Sequence, residues 1–102
     1  PLSAVEEIVG DLDLLLIMTG NPGFGGQQFI EHTVGKTARA ATMLRGAQSR
    51  ARLEVDGGVG RATIARVRAA GADAFVAGNA VFAASDPRAE IGVLRRLAEE
   101  AA

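Results

Sequence analysis

Leu53-Glu54-Val55-Asp56-Gly57-Gly58-Val59-Gly60 and the later run Asp73-Ala74-Phe75-Val76-Ala77-Gly78-Asn79 decide the fold of this chain. Each is a short apolar run closed by glycine, the pattern of a strand delivered into a tight turn. Between them, Arg61 to Ala70 places Ile64 and Val67 at helical spacing. Gly71 is positioned to end that helix in a left-handed conformation. Strand, helix and strand joined by short connections make a right-handed βαβ unit with parallel strands.

The same alternation continues outward in both directions. Upstream, Asp13-Leu14-Leu15-Leu16-Ile17-Met18-Thr19 is a strand-length apolar run, as expected for a parallel strand buried on both faces. Gly20-Asn21-Pro22-Gly23-Phe24-Gly25-Gly26-Gln27 follows it and carries too many breakers for helix or strand. From about Glu31 to Gln48 the spacing of Val34, Ala38, Ala41 and Leu44 predicts a helix, with Lys36, Arg39 and Arg45 turned to solvent. Leu2, Val5, Ile8, Val9 and Leu12 predict a first helix, and Ser3 with Glu6 has the form of a capping box. Downstream, Ala80-Val81-Phe82 reads as a short turn. Asp86 as N-cap with Pro87 opens a last helix whose core face is Ile91, Leu94, Leu97 and Ala98. The order is α-β-α-β-α-β-α, the class is α/β, and no linker or low-complexity tract interrupts it.

Composition agrees with a folded chain and removes several functions. The 102 residues amount to one domain or less, with 48% hydrophobic and 23% charged residues, which excludes disorder and fibrous repeats. No apolar run approaches the roughly 18 residues of a membrane span. A net charge of −1 supplies no field to gather nucleic acid or an anionic membrane. The aromatic share is 4%, all of it Phe, too little for a base-stacking platform. There is no cysteine, hence no disulfide, thiolate nucleophile or Cys-based zinc site, and the count fits a cytoplasmic protein. The first residue is Pro1, which predicts either processing or a start inside a longer reading frame.

In parallel α/β folds ligands bind at the carboxyl ends of the strands. The glycine clusters all fall there: Gly20 to Gly26, Gly57-Gly58 and Gly78. Glycine lets backbone N–H groups approach a ligand that a Cβ would hold off, and a phosphate dianion is the natural guest. The plainer reading is a set of tight turns; three such loops on one edge favour the ligand. Two familiar phosphate motifs fail. Gly35-Lys36-Thr37 lacks the Walker A glycine, since Ile30 stands in its place, and Gly23-x-Gly25 runs on to Gln28 where a dinucleotide fingerprint needs glycine. Asp56 is the candidate reactive group, with a turn-forming role as its plainer reading. Strand alternation places Arg52, Glu54 and Asp56 on one face and Leu53 and Val55 on the other; in a barrel the first set would face the interior, where Arg52 and Glu54 could neutralise each other beneath Asp56. His32 and the charges Arg95, Arg96, Glu99 and Glu100 read as solvated helix surface, Asp73 as a turn residue, and Met18 as pocket lining or core filling.

Leu16-Ile17-Met18-Thr19 with Asn21-Pro22-Gly23-Phe24-Gly25-Gly26-Gln27 closely resembles the sixth strand and following loop of the ribulose-phosphate 3-epimerase family. Glu54-Val55-Asp56-Gly57-Gly58-Val59 resembles its seventh strand, and Ala72-Asp73 through Val76-Ala77-Gly78-Asn79-Ala80-Val81-Phe82 its eighth. The resemblance covers essentially the whole chain and implies a TIM (β/α)8 barrel, typically about 250 residues. Residues 1–102 would then be the C-terminal half, strands six to eight with flanking helices, with the N-terminal half absent. It implies interconversion of ribulose 5-phosphate and xylulose 5-phosphate by proton transfer at C3. Asp56 would be one of two catalytic aspartates and a ligand of a divalent metal (Zn, Fe, Mn or Co). Met18 would pack near the enediolate. Gly23, Phe24, Gly25 and Gly26 would cover the substrate, and Gly57, Gly58, Gly78 and Asn79 would bind its phosphate. A homo-oligomer is implied for the full-length parent.

The chain departs from that pattern at Asn79, where the family more often has Ser, and at Gly20, where an apolar residue is expected. The second aspartate, two metal-binding histidines and an early serine belong to the first strands of such a barrel, and His32 does not match either histidine. The expectation is therefore an isolated chain without activity. Other phosphate-binding barrels, a related allulose-phosphate epimerase, and a non-catalytic phosphate-binding half barrel that self-associates are the competing readings.

Overall fold

The structure, a computed structural model, describes residues 1–20 and 28–102. A single sheet has the order β1 (Leu14–Met18), β2 (Arg52–Asp56), β3 (Ala74–Val76), both pairs parallel. Helix α1 (Thr33–Gly46) leads from β1 to β2, and α2 (Ile64–Ala70) from β2 to β3. A single-turn helix α3 (Gly78–Phe82) and the longer α4 (Pro87–Glu100) complete the chain. The α/β class with parallel strands, predicted from the sequence, is what the chain forms.

The core lies on one face of the sheet. Leu15, Ile17, Leu53 and Val55 are buried there against Ala40, Ala41 and Leu44 of α1, Ile64 and Val67 of α2, and Leu94 and Ala98 of α4. Leu53, Val55 and Val67 are essentially inaccessible, and a fully buried side chain of this size contributes about 1.5–3 kcal/mol. Gly71 ends α2 at φ +123° and lets α2 lie against α1, since a Cβ there would come within 2.5 Å of the Ala41 Cβ. Asp86 caps α4 by accepting from the Ala89 N–H at 3.1 Å, with Pro87 next, as the sequence predicts.

Several expectations need correction. The run Leu14–Met18 is not buried on both faces: Leu14 and Leu16 are 46% and 43% exposed, because the helices that pack on the sheet among the described residues lie on the side of Leu15 and Ile17. The first helix is replaced by two short 3-10 helices, Leu2–Ala4 and Glu6–Asp11. The three-residue spacing of Leu2, Val5 and Ile8 suits a three-residue turn, and Ser3 lies inside a turn instead of capping one. The buried side of α1 is Thr33, Thr37, Ala40, Ala41 and Leu44 rather than a stripe through Val34 and Ala38, and Lys36 is half-buried. Thr37 can be buried there because its hydroxyl donates to the Thr33 carbonyl at 2.8 Å. The predicted helix from Arg61 begins only at Ile64. Ile91 is exposed, on the rim of a groove of about 590 Å³ along β3 lined by Phe75, Val76, Val81, Phe82 and Leu94. Among the described residues no helix is long and apolar enough to cross a membrane.

Candidate functional site

The parallel register aligns Met18, Asp56 and Val76 across the carboxyl ends of the three strands. Residues paired in this way share a face, so the three side chains form one row on the bare side of the sheet. Leu16, Glu54 and Ala74 form the row below, and Leu14 and Arg52 the lowest. The alternation expected for Arg52, Glu54 and Asp56 against Leu53 and Val55 is therefore present. Arg52 and Glu54 do not form an ion pair: the pairs among the described residues are Arg61–Glu90 and Arg66–Glu31. Met18 and Asp56 are half-buried.

The turn after Asp56 has a specific shape. Gly57 at φ +117° and Gly58 at φ +67° occupy the left-handed region that side chains disfavour. Gly58 is also pressed against the returning chain, where a Cβ would approach the Phe29 Cα to 2.6 Å and its Cβ to 2.8 Å. That return is held by an antiparallel bridge between Gly20 and Phe29 and by the Ile30 N–H donating to the Thr19 carbonyl at 2.7 Å. Thr19, fully buried, donates its N–H to the Asp56 carbonyl at 2.7 Å and its hydroxyl to the Gly57 carbonyl at 2.6 Å. On the far side of the turn the Thr63 hydroxyl donates to the Gly58 carbonyl at 2.9 Å and accepts from the Gly60 N–H at 3.0 Å. The N–H groups of Gly57, Gly58 and Val59 make no hydrogen bond to another described residue.

Charged side chains brace the same region from outside. Arg66 of α2 lies over the Phe29 ring, 5.3 Å from its centroid, and pairs with Glu31. The guanidinium hydrogen bond holds the Glu31 carboxyl below its ordinary value. Arg61, beside the turn, makes a bidentate pair with Glu90 of α4 at 2.8 and 2.7 Å, and that hydrogen bonding likewise lowers the Glu90 carboxyl. Gly78 and Asn79, exposed in the first turn of α3, come beside the β2 turn, since a Cβ on Gly60 would meet the Ala80 Cβ at 3.4 Å. A Cβ on Gly78 itself would meet nothing within 4 Å.

Of the residues singled out from sequence, the structure brings Met18, Asp56, Gly57 and Gly58 to one edge, with Gly78 and Asn79 nearby. Gly23, Phe24, Gly25 and Gly26 lie outside the described residues. His32 is exposed at the start of α1. Asp73 sits at the opposite edge, where its N–H donates to the Leu53 carbonyl and its carboxylate accepts from the Leu53 N–H. Sequence reading missed Thr19, Thr63, Phe29 and Arg66. Thr63, three residues beyond Gly60, had a local signal as a hydroxyl able to close a turn, whereas Thr19 reads only as the end of a strand.

A divalent ion needs several oxygen or nitrogen donors converging on one point. Among the described residues no group of three His, Cys, Asp or Glu does so, and the edge row offers the Asp56 carboxylate alone. The described residues thus do not fit a complete metal site.

The model of the Ribulose-phosphate 3 epimerase family matches residues 1–82. A ribulose-phosphate 3-epimerase of Mycobacterium leprae is 42% identical over 98 residues, covering 96% of this chain and 44% of the relative. The Serratia marcescens protein of that name is 46% identical over 88 residues, covering 86% and 42%. That of Escherichia coli K12 is 43% identical over 95 residues, covering 93% and 42%. The chain spans less than half the length of these curated relatives.

Proposed function

Since the chain belongs to the ribulose-phosphate 3-epimerase family, we propose that the edge bearing Asp56 is part of a site interconverting D-ribulose 5-phosphate and D-xylulose 5-phosphate. The observation that supports this best is the adjacency of a carboxylate, Asp56, to a turn whose N–H groups at Gly57, Gly58 and Val59 bond to no other described residue. A sugar phosphate needs both: an anion receptor at one end and a proton-transfer group at the other.

Inversion at C3 requires a base that removes the C3 proton from one face and an acid that returns a proton to the other. Asp56 is assigned one of these two roles, taking or giving the proton on its own face through a carboxylate oxygen. Met18, its neighbour in the row, packs on the planar enediolate formed when the proton leaves. The N–H groups of Gly57 and Gly58, with Gly78 and Asn79 of α3, hold the phosphate. The opposite-face group lies outside the described row, so this chain alone is assigned no net epimerisation.

In this reading β1, β2 and β3 are strands six to eight of a (β/α)8 barrel. Residues 1–102 are its C-terminal part, and the bare face is turned to the barrel interior. Asp56 would supply one ligand to a divalent ion of the zinc, iron, manganese or cobalt type, its other donors coming from outside the described row. The setting is cytoplasmic, and the full-length parent self-associates.

The test is two-armed. Titrating the labelled chain with D-xylulose 5-phosphate, and separately with D-xylulose, should shift the amide resonances of Gly57, Gly58, Gly78 and Asn79 with the phosphate ester only. Equal responses, or none, would defeat the phosphate assignment. Incubating the chain with D-ribulose 5-phosphate and added Zn²⁺, Mn²⁺ or Fe²⁺ should give no D-xylulose 5-phosphate above background. Substantial turnover would overturn the assignment of a single acid–base group.

A further inference from the structure

We infer that Thr19 and Thr63 are positioning residues that aim the anion-binding N–H groups of the turn, an inference that rests on the phosphate reading above. Three successive carbonyls, those of Asp56, Gly57 and Gly58, are each taken by one of these threonines. The Thr19 N–H binds the first at 2.7 Å, the Thr19 hydroxyl the second at 2.6 Å, and the Thr63 hydroxyl the third at 2.9 Å.

In a planar trans peptide the N–H points opposite to the C=O of the same unit. Pinning the Asp56 carbonyl therefore directs the Gly57 N–H, pinning the Gly57 carbonyl directs the Gly58 N–H, and pinning the Gly58 carbonyl directs the Val59 N–H. Those three N–H groups are the ones that bond to no other described residue. Glycine at φ +117° and +67° is free to rotate its peptide planes, so the turn has little rigidity of its own. The two hydroxyls supply it. Thr19 is fully buried and Thr63 is 8% exposed, so water competes poorly for either bond. Removing one hydroxyl leaves a buried carbonyl unpaired and allows its peptide to flip, which turns the N–H away from the anion.

Threonine to valine is nearly isosteric and removes the hydroxyl alone, whereas serine keeps it. The probe is inorganic phosphate, titrated into the full chain and into T19V, T63V, T19S and T63S, followed through the Gly57, Gly58 and Val59 amides. Each valine variant should bind phosphate about five- to tenfold more weakly, the equivalent of one hydrogen bond. Each serine variant should bind within about twofold of the parent. T63V, on the rim of the turn, remains informative if the buried T19V folds poorly, and unfolding midpoints without phosphate identify such a variant. Folded valine variants that bind as tightly as the parent would overturn the positioning role and leave the phosphate reading standing. Equal weakening in the serine variants would also overturn it, since the hydroxyl would then not be the cause. A parent chain whose three amides ignore phosphate would overturn both.

Discussion

Replacing Gly58 with alanine separates two reasons for a glycine in the turn after β2. If the residue serves only a ligand, G58A leaves the unliganded fold intact. The structure predicts otherwise. At φ +67° an alanine Cβ costs about 1–2 kcal/mol relative to glycine. The same Cβ would lie 2.6 Å from the Phe29 Cα, and overpacking of this kind adds about 1–3 kcal/mol. The obstacle is backbone held by the Gly20–Phe29 bridge and the Ile30–Thr19 hydrogen bond, so it cannot rotate aside as a side-chain tip would. The sum is about 2–5 kcal/mol against a typical total of about 5–15, a drop of roughly 8–40 °C in midpoint for a chain of this size. Thermal unfolding followed by far-ultraviolet circular dichroism, with urea titration as a second measure, reads it directly. G78A is the internal control. Its Cβ would meet nothing within 4 Å, so its midpoint should equal or slightly exceed that of the parent while its phosphate affinity falls. A G58A midpoint within about 2 °C of the parent would refute the packing argument.

Other consequences can be measured on the same chain. L53A, which empties a fully buried position between the sheet and its helices, should cost about 2–5 kcal/mol in urea unfolding; a loss below about 1 kcal/mol would mean that the site collapses around the gap. D86A, which removes the α4 cap on the Ala89 N–H, should cost about 1 kcal/mol, with D86S recovering most of it. The Glu90 carboxyl is held by Arg61 below its ordinary 4.5, so the pair stabilises fully above that pH and is lost as pH falls through the lowered value. The midpoint difference between the parent and E90Q should accordingly be constant above about pH 5 and shrink towards pH 3, and a difference that grows in acid would contradict the pairing.

The legible part of the fold was the part written in apolar spacing and glycine. Leu53-Glu54-Val55-Asp56 announces a strand, Gly71 a helix end, and Asp86-Pro87 a helix start, and each does what local chemistry predicts. Burial was less legible, because it depends on what covers an element. Leu14 and Leu16 read as core yet face away from the helices that pack on the sheet among the described residues, and Ile91, on a groove rim, is likewise left uncovered. Buried Thr33 and Thr37 broke the expected stripe of α1 because hydroxyl-to-carbonyl bonds satisfy them, which polarity alone does not reveal. At the site, Asp56 with its glycines was legible from spacing. Of the two threonines that grip the turn, Thr63 closes it locally, whereas Thr19 was not legible, since its bond to Gly57 joins residues that meet only when β1 flanks β2.

The sheet order β1-β2-β3 follows the order of the chain, and this shapes how a ribosome would deliver it. At about 5–20 residues per second, synthesis from Asp56 to Ala74 takes on the order of one to four seconds, whereas a helix forms in about a microsecond. β1 and β2 can therefore pair, with α1 packed across them, well before β3 leaves the exit tunnel. Each newly completed strand serves in turn as the growing edge on which the next is laid. No earlier pairing has to be undone to admit a later one, so a nascent chain of this topology can assemble in the direction in which it is translated.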